Sequence, residues 1–362
     1  MRDLLNDYEH LAASGPVGRA VVTRVWGSAP RPEGACLLAT ADGRMAGSVS
    51  GGCVEAAAAE EIKAAIARGT PKRVGWGVTH ERAWEMGLSC GGTIEVFVEP
   101  GVREELLQAA RRPSGSVVAT VIGGPDSAPV GAGLLFEESG ARTRIGTGSL
   151  PGGLEELIAA QAAAALPLLT SRVESFEIPE GGGSVEVFLE VFPRRPTLLV
   201  FGGVHVAMAL VRLARPLGFR TVVADGREAF LTRERFPDAD ELILGWPDEA
   251  FRKVGLDAAT CVCLLSHDPK FDEPALDIAL RSPACYVGAI GSRKTQAARR
   301  ERLRQAGFTA EEIGRLRGPI GLDLGGRDPA EIALAILAEI TAVRYGREVP
   351  AGGRAPASAA SG

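Results

Sequence analysis

Histidine, methionine, tryptophan and tyrosine are scarce in this chain, with four, four, four and three copies among 362 residues. The histidines, His10, His80, His205 and His267, are widely scattered, and no C-x-x-C or H-x-x-x-H spacing occurs, so a structural zinc site is not expected. No apolar run approaches the roughly 18–20 residues of a membrane span. The N-terminal MRDLLNDYEHLAASGP is charged and lacks the apolar stretch of an export signal. Six cysteines in a chain this long do not read as a disulfide framework. Without export they are expected to be reduced thiols in the cytoplasm. An excess of basic charge is also missing: 40 Lys and Arg against 45 Asp and Glu leave a net charge of −5. That balance argues against nucleic acid as the main partner.

Glycine is abundant, 46 residues, which points to tight turns or close backbone approach to a ligand. The length suits two domains. Residues 1–195 read as an N-terminal α+β domain, with a valine-rich strand at 17–26, a hairpin from ACLLAT to RMAGSVS, a helix over about 54–68 and strands at 93–100 and 184–191. SVEVFLEV echoes TIEVFVEP, either as a duplicated unit or as a chance likeness between two strands. From 196 to 349 short apolar strands alternate with helical segments, the pattern of a Rossmann-like, doubly wound parallel sheet. A helix is signalled by Asp328 as N-cap, Pro329, Glu331 and the apolar face Ile332, Ile336, Ile340 and Val343. Residues 350–362 are low in complexity and expected to be disordered.

The segment FGGVHVA, 201–207, sits between a strand and a helix, where such a sheet keeps its first phosphate loop. Asp225 ends the next strand, where a ribose-binding acid belongs. Gly202, Gly203, His205 and Asp225 are therefore candidates for a nucleotide site. Val204 stands where the second fingerprint glycine would let backbone approach a pyrophosphate, so the domain either binds NAD(P) or keeps the architecture without it. His267 and Asp268 follow one later strand, and Ser292 and Arg293 another. All four converge on the ligand-binding rim of the sheet, or else serve as caps and solvated charges. Arg299, Arg300, Arg302 and Arg304 read as a solvated helix face.

The stretch GSVSGGCVEAAAAEEI, 47–62, places Cys53 among Ser48, Ser50, Gly51 and Gly52 immediately before a helix. A sulfur at the positive end of a helix dipole gains thiolate character. Successive amides in such a loop can form an anion nest. Cys90 and Gly91 lie in a second such loop, SCGG. Ser28 and Arg31, in GSAPRP, add polar groups on a proline-stiffened turn. The alternative is that both thiols are small buried hydrophobes. Cys36, Cys261, Cys263 and Cys285 lie in strands and are expected in the core.

Together GSAPRPEGACLL, DGRMAGSVSGGCVE, LSCGGTIEVFVEP, LLVFGGVHVAMAL, SHDPKFD, YVGAIGSRKTQAAR and PIGLDLGGRDPAEIALAILAEI resemble the XdhC/CoxI family, the xanthine dehydrogenase accessory proteins. The departure is at Val204, where the family has glycine. The resemblance implies an N-terminal domain with the cysteine loops and a C-terminal Rossmann-like domain. It also implies binding of the molybdenum cofactor, its sulfuration with sulfur from a cysteine desulfurase, and its transfer to a molybdenum hydroxylase. The implied site is Cys53, as the molybdenum contact or a transient sulfur carrier, with Cys90 assisting. On this reading the protein is an accessory factor rather than a stand-alone catalyst. The alternative is an NAD(P)-dependent oxidoreductase with His267 as acid–base group. Pairing of two copies through the C-terminal helix is left open.

Overall fold

A computed structural model describes residues 1–77, 92–146, 148–179 and 183–347. Cys90 and Gly91, and the 350–362 segment expected as a disordered tail, lie outside the described residues. The chain divides into two compact units, one ending at Arg194 and the next beginning at Arg195.

The first unit opens with α1 (Leu5–Ala12) and a five-stranded antiparallel sheet. That sheet comprises β1 (Val17–Trp26), β2 (Cys36–Thr40), β3 (Met45–Gly47), β4 (Lys72–Gly77) and β5 (Thr93–Glu99), in the order β3-β2-β1-β5-β4. Between β3 and β4 runs α2 (Glu55–Arg68). It stops at Gly69, whose φ of +72° suits glycine and lets its N–H reach the Ala65 carbonyl at 2.8 Å. After α3 (Glu104–Arg111) comes a second sheet: β6 (Ser116–Gly123), β7 (Gly133–Glu137), β8 (Arg142–Ile145), β9 (Arg172–Glu177) and β10 (Ser184–Phe192). Its order is β8-β7-β6-β10-β9, with α4 (Leu154–Ala165) between β8 and β9.

Alternation along the strands sets the layers. Ala20, Val22, Leu37 and Ala39 face α2, while Val21, Cys36, Leu38 and Phe97 face the second sheet through Val118, Leu135 and Phe188. The far side of the second sheet, including Val117, Ala119 and Val187, is covered by α4. The unit is thus a helix–sheet–sheet–helix stack.

Its two halves repeat each other. Both follow β-β-β-α-β-β with the same strand order. The sequence P-x-G-A-x-L-L occurs at Pro32–Leu38 and again at Pro129–Leu135. Each copy makes the same turn, Ala35 N–H to Pro32 O and Ala132 N–H to Pro129 O, and the same bulge contact, Gly34 to Val22 O and Gly131 to Val121 O. Buried positions 54, 58, 59, 62 and 65 around α2 match 154, 158, 159, 162 and 165 around α4. TIEVFVE and SVEVFLE occupy equivalent strands, β5 and β10. The likeness read in those two segments therefore marks a duplicated unit. In the second copy Gly153 stands where Cys53 does in the first, and Gly181 where Cys90 does.

Arg19 on β1 joins the halves. It is 1% exposed and donates to Glu99 of β5 at 3.1 Å and to the equivalent Glu190 of β10 at 2.5 Å. Burial alone would lower its pKa; Glu190 and Glu99 together raise it. The position equivalent to Arg19 on β6 is Val118, since both lie opposite their glutamate in register, so one guanidinium serves two carboxylates.

The second unit is a six-stranded sheet: β11 (Thr197–Phe201), β12 (Arg220–Asp225), β13 (Glu241–Leu244), β14 (Thr260–Leu264), β15 (Tyr286–Ala289) and β16 (Leu316–Arg317). The order β13-β12-β11-β14-β15-β16 and uniformly parallel pairing make it a doubly wound Rossmann sheet. On one face lie α5 (His205–Ala214) and α10 (Pro329–Arg344). On the other lie α6 (Pro247–Val254), α7 (Pro269–Arg281), α8 (Arg293–Gln305) and the short α9 (Ala310–Gly314). Helix α10 has the expected cap, with the Asp328 N–H donating to Glu331 at 3.1 Å, and buries Ile336 and Ile340. Among the described residues no helix is long and apolar enough to cross a membrane.

Candidate functional site

Register gathers the loops at one end of the first sheet. Trp26 at the end of β1 and Gly77 at the end of β4 both pair with Thr93 at the start of β5. The loop after β1 therefore meets the residue preceding β5: a Cβ on Gly92 would lie 2.5 Å from the Ser28 carbonyl oxygen. Ser28, Pro30, Ser50, Val54, Trp76 and Gly92 line a narrow cleft whose cavity volume is about 20 Å³. Cys53 lies half-buried between the lining residues Ser50 and Val54 and packs partly on the α2 core. Arg31 follows on the same loop as Ser28, and its buried Nε has no hydrogen-bond partner among the described residues. Gly92 is the described end of the second cysteine loop, of which Cys90 and Gly91 lie outside the described residues.

The loop before α2 differs from the expected open nest. The N–H groups of Val49, Ser50, Gly51 and Gly52 donate to the Glu55 carboxylate at 3.2, 2.9, 3.0 and 2.8 Å. The hydroxyls of Ser48 and Ser50 donate to it as well, both at 2.7 Å. The Cys53 and Val54 amides go to Ser50 Oγ, each at 3.0 Å. An anion supplied two residues past the thiol thus fills the nest and faces the positive end of α2. Ser48, Ser50, Gly51 and Gly52 are therefore not bare donors for an incoming phosphate; they brace the segment that carries Cys53. Burial alone would raise the Glu55 pKa, but the bonds from Ser48, Ser50 and the loop amides bring it down to about 2.

In the second unit the glycine pair has local causes. Gly202 has φ +113°, and a Cβ on it would lie 2.6 Å from the Ser266 amide nitrogen. A Cβ on Gly203 would strike the Phe230 carbonyl oxygen. The Gly203 N–H donates to Asp225 at 2.8 Å, and the fully buried Asp225 also accepts from the Arg227 amide and guanidinium at 2.9 Å. Burial would raise the Asp225 pKa, but Arg227 and Gly203 lower it. The acid and the amide expected to hold ribose and pyrophosphate are thus bonded to the chain itself, and the nucleotide reading draws no support from them. His205 is exposed in the first turn of α5.

The rim after β14 and β15 brings His267 and Ser292 together. With Ile290, Gly291, Thr295 and Arg299 they line an open crevice of about 410 Å³. His267 is held at φ +59°, uncommon for a non-glycine residue. Beneath it, Arg299 pairs with the buried Asp272 at 2.7 Å, and Ser266 Oγ donates to the same carboxylate at 2.5 Å. Burial raises the Asp272 pKa despite these partners. Asp268 and Ser292 act as N-caps, accepting from Lys270 N–H at 3.0 Å and Thr295 N–H at 3.2 Å. Arg293 begins α8 and is exposed. Sequence reasoning overlooked Glu55 and Trp76, and it read Arg299 as part of a solvated helix face, whereas the Arg299 side chain is 10% exposed because it pairs inward with Asp272. For Glu55 the signal was present, an acid closely following S-V-S-G-G at a helix start, the same logic as a capping box.

Among the described residues no group of three or more His, Cys, Asp or Glu is arranged to hold a metal ion. A family profile described as "XdhC and CoxI family" matches residues 10–77, and one described as "XdhC Rossmann domain" matches residues 198–340. A probable xanthine dehydrogenase component from Bacillus subtilis is 27% identical, over 90% of this chain and 92% of its own length. The molybdenum cofactor insertion chaperone PaoD of Escherichia coli is 28% identical, over 91% of this chain and 85% of its own. A crystal structure described as a xanthine dehydrogenase from Bacillus halodurans superposes with a TM-score of 0.73 at 25% identity, covering 96% of this chain and 97% of that one.

Proposed function

Because the chain belongs to the XdhC and CoxI family, we propose that it is an accessory protein that binds the molybdenum cofactor as cargo, protects it, supports its sulfuration and delivers it to a molybdenum hydroxylase such as a xanthine dehydrogenase. The observation that carries the reading is the near-full-length likeness to a molybdenum cofactor insertion chaperone. The cleft beside Cys53 supports it. A soft thiolate suits molybdenum or a transferred sulfur. The chain need contribute only this single ligand, because the dithiolene of the pterin holds the metal from its own side.

Cys53 contacts molybdenum or carries sulfur transiently, and Cys90 assists. Ser28 and Arg31 supply donors to the pterin phosphate, since the loop amides are committed to Glu55. Trp76 gives the pterin ring an apolar wall. His267, Ser292 and Arg299 offer a separate polar crevice on the second unit. The sulfur donor is a cysteine desulfurase, the protein works in the cytoplasm, and two copies pair through the outer side of α10, where Leu334 is exposed, since Ile336 and Ile340 are buried on the sheet.

Purified protein reports on this directly. Denaturation should release a fluorescent pterin together with molybdenum measured by mass spectrometry. Cys53→Ala should lower cofactor retention or hydroxylase activation severalfold at an unchanged melting temperature. Normal retention and activation in that variant would remove the thiol from the mechanism. A thermal shift with NAD(H) and none with cofactor would favour the oxidoreductase reading instead.

A further inference from the structure

Cys261 and Cys285 were expected in the core as packing residues, yet their sulfurs lie 3.4 Å apart across β14 and the start of β15. The pairing is built by the backbone. The Cys285 amide donates to Thr260 O at 2.9 Å, and Cys261 is in register with Tyr286, the next residue. Paired strands stand about 4.8 Å apart and each residue rises about 3.3 Å, so the one-residue offset puts the two Cα atoms roughly 6 Å apart, within the roughly 4.4–6.8 Å that a disulfide requires. Closure brings the two sulfurs from 3.4 Å to about 2.05 Å.

The two thiols are not equivalent. Cys261 is fully buried, whereas Cys285 is partly exposed. The Cys285 S–H reaches Thr260 O at 3.3 Å, leaving its sulfur to accept from Cys261. That bond from Cys261 and the Arg344 charge at the end of α10 lower the Cys285 pKa, while the bond to Cys285 and burial raise that of Cys261. Cys263, two residues along β14, is buried and raised by burial.

We propose that Cys285 and Cys261 form a thiol–disulfide exchange site, with Cys285 the attacking and Cys261 the resolving sulfur, whose substrate class is a low-molecular-weight disulfide. The Cys285 thiolate attacks one sulfur of the small disulfide, forming a mixed disulfide and expelling one small thiolate. Cys261 then gives up its proton and attacks the Cys285 sulfur. The second small thiol leaves and an intrachain disulfide joins β14 to β15. Overall the dithiol loses two electrons and two protons, and the small disulfide gains both. Intracellular disulfides in mesophiles are mostly of this transient, redox-responsive kind. The pair is independent of the Cys53 site and of the function proposed for it.

The test uses the reduced full chain, oxidised glutathione, alkylation of remaining thiols under denaturing conditions and peptide mass mapping. The expected product is a cross-linked peptide pair containing Cys261 and Cys285, with both losing alkylation in parallel while Cys263 keeps it. Cys261→Ala should instead accumulate glutathione on Cys285, and Cys285→Ser should leave Cys261 fully alkylated. Circular dichroism checks that the variants fold, and the wild-type map decides alone if one does not. Full alkylation of Cys261 and Cys285 in wild type, under conditions where Cys53 is glutathionylated, would overturn the proposal. So would a linkage of either cysteine to a different partner.

Discussion

The carboxylate of Glu55 shapes the loop before α2 more than its glycines do. With four amides and two hydroxyls directed at it, Glu55→Gln should cost about 1.5–3 kcal/mol, the range for a hydrogen bond to a charged group, read as a lower urea midpoint at pH 7. The folded pKa of about 2 lies below the value of about 4.3 in an unfolded chain. Its stabilisation is therefore complete above that unfolded value and is lost as pH falls through the folded one, so the gap between wild type and variant should close toward acid. The cysteine, the serines and the helix start were legible from residue order alone. That the nest is self-filled was not, because glycines and hydroxyls look the same whether the anion is a ligand or a neighbouring side chain. The same ambiguity attends Gly202 and Gly203, which make room for Ser266 and Phe230 as any glycine pair would for a cofactor.

At the level of strands and helices, β1 carries a charge into an apolar interface. Removing one partner of such a buried pair costs about 3–5 kcal/mol, so Arg19→Met should unfold at markedly lower denaturant than wild type. Adding Glu190→Gln to that variant should recover much of the loss, because Glu99 keeps its ion pair with Arg103 at 2.8 Å and Glu190 is then no longer a stranded charge. Periodicity located most strands and helices, including β5, β10, α7, α8 and α10. It said little of how elements meet. Either arginine of VGRAVVTRVW reads on its own as a solvent-facing residue, and only the second sheet explains the burial of Arg19. The recurrence of P-x-G-A-x-L-L was the sequence signal for duplication, but a chain with 46 glycines offers many short glycine-bearing likenesses against which it must stand out.

For the whole molecule, the duplicated unit bears on stoichiometry. Since the second copy has glycine at both thiol positions, each chain should carry one molybdenum rather than two, measured as metal per polypeptide by mass spectrometry after loading. That the second sheet is parallel and doubly wound was readable from alternating strands and helices, and the family likeness from motifs spread along both units; the strand order came only with the structure. The shared arginine also governs how the chain can be cut. A fragment ending near residue 112 would keep Arg19 and Glu99, lose Glu190, and expose the face carrying Val21, Leu38 and Phe97 to water. Such a truncation should emerge in inclusion bodies. The two repeats are mutually indispensable, and only the intact tandem is a viable product of translation.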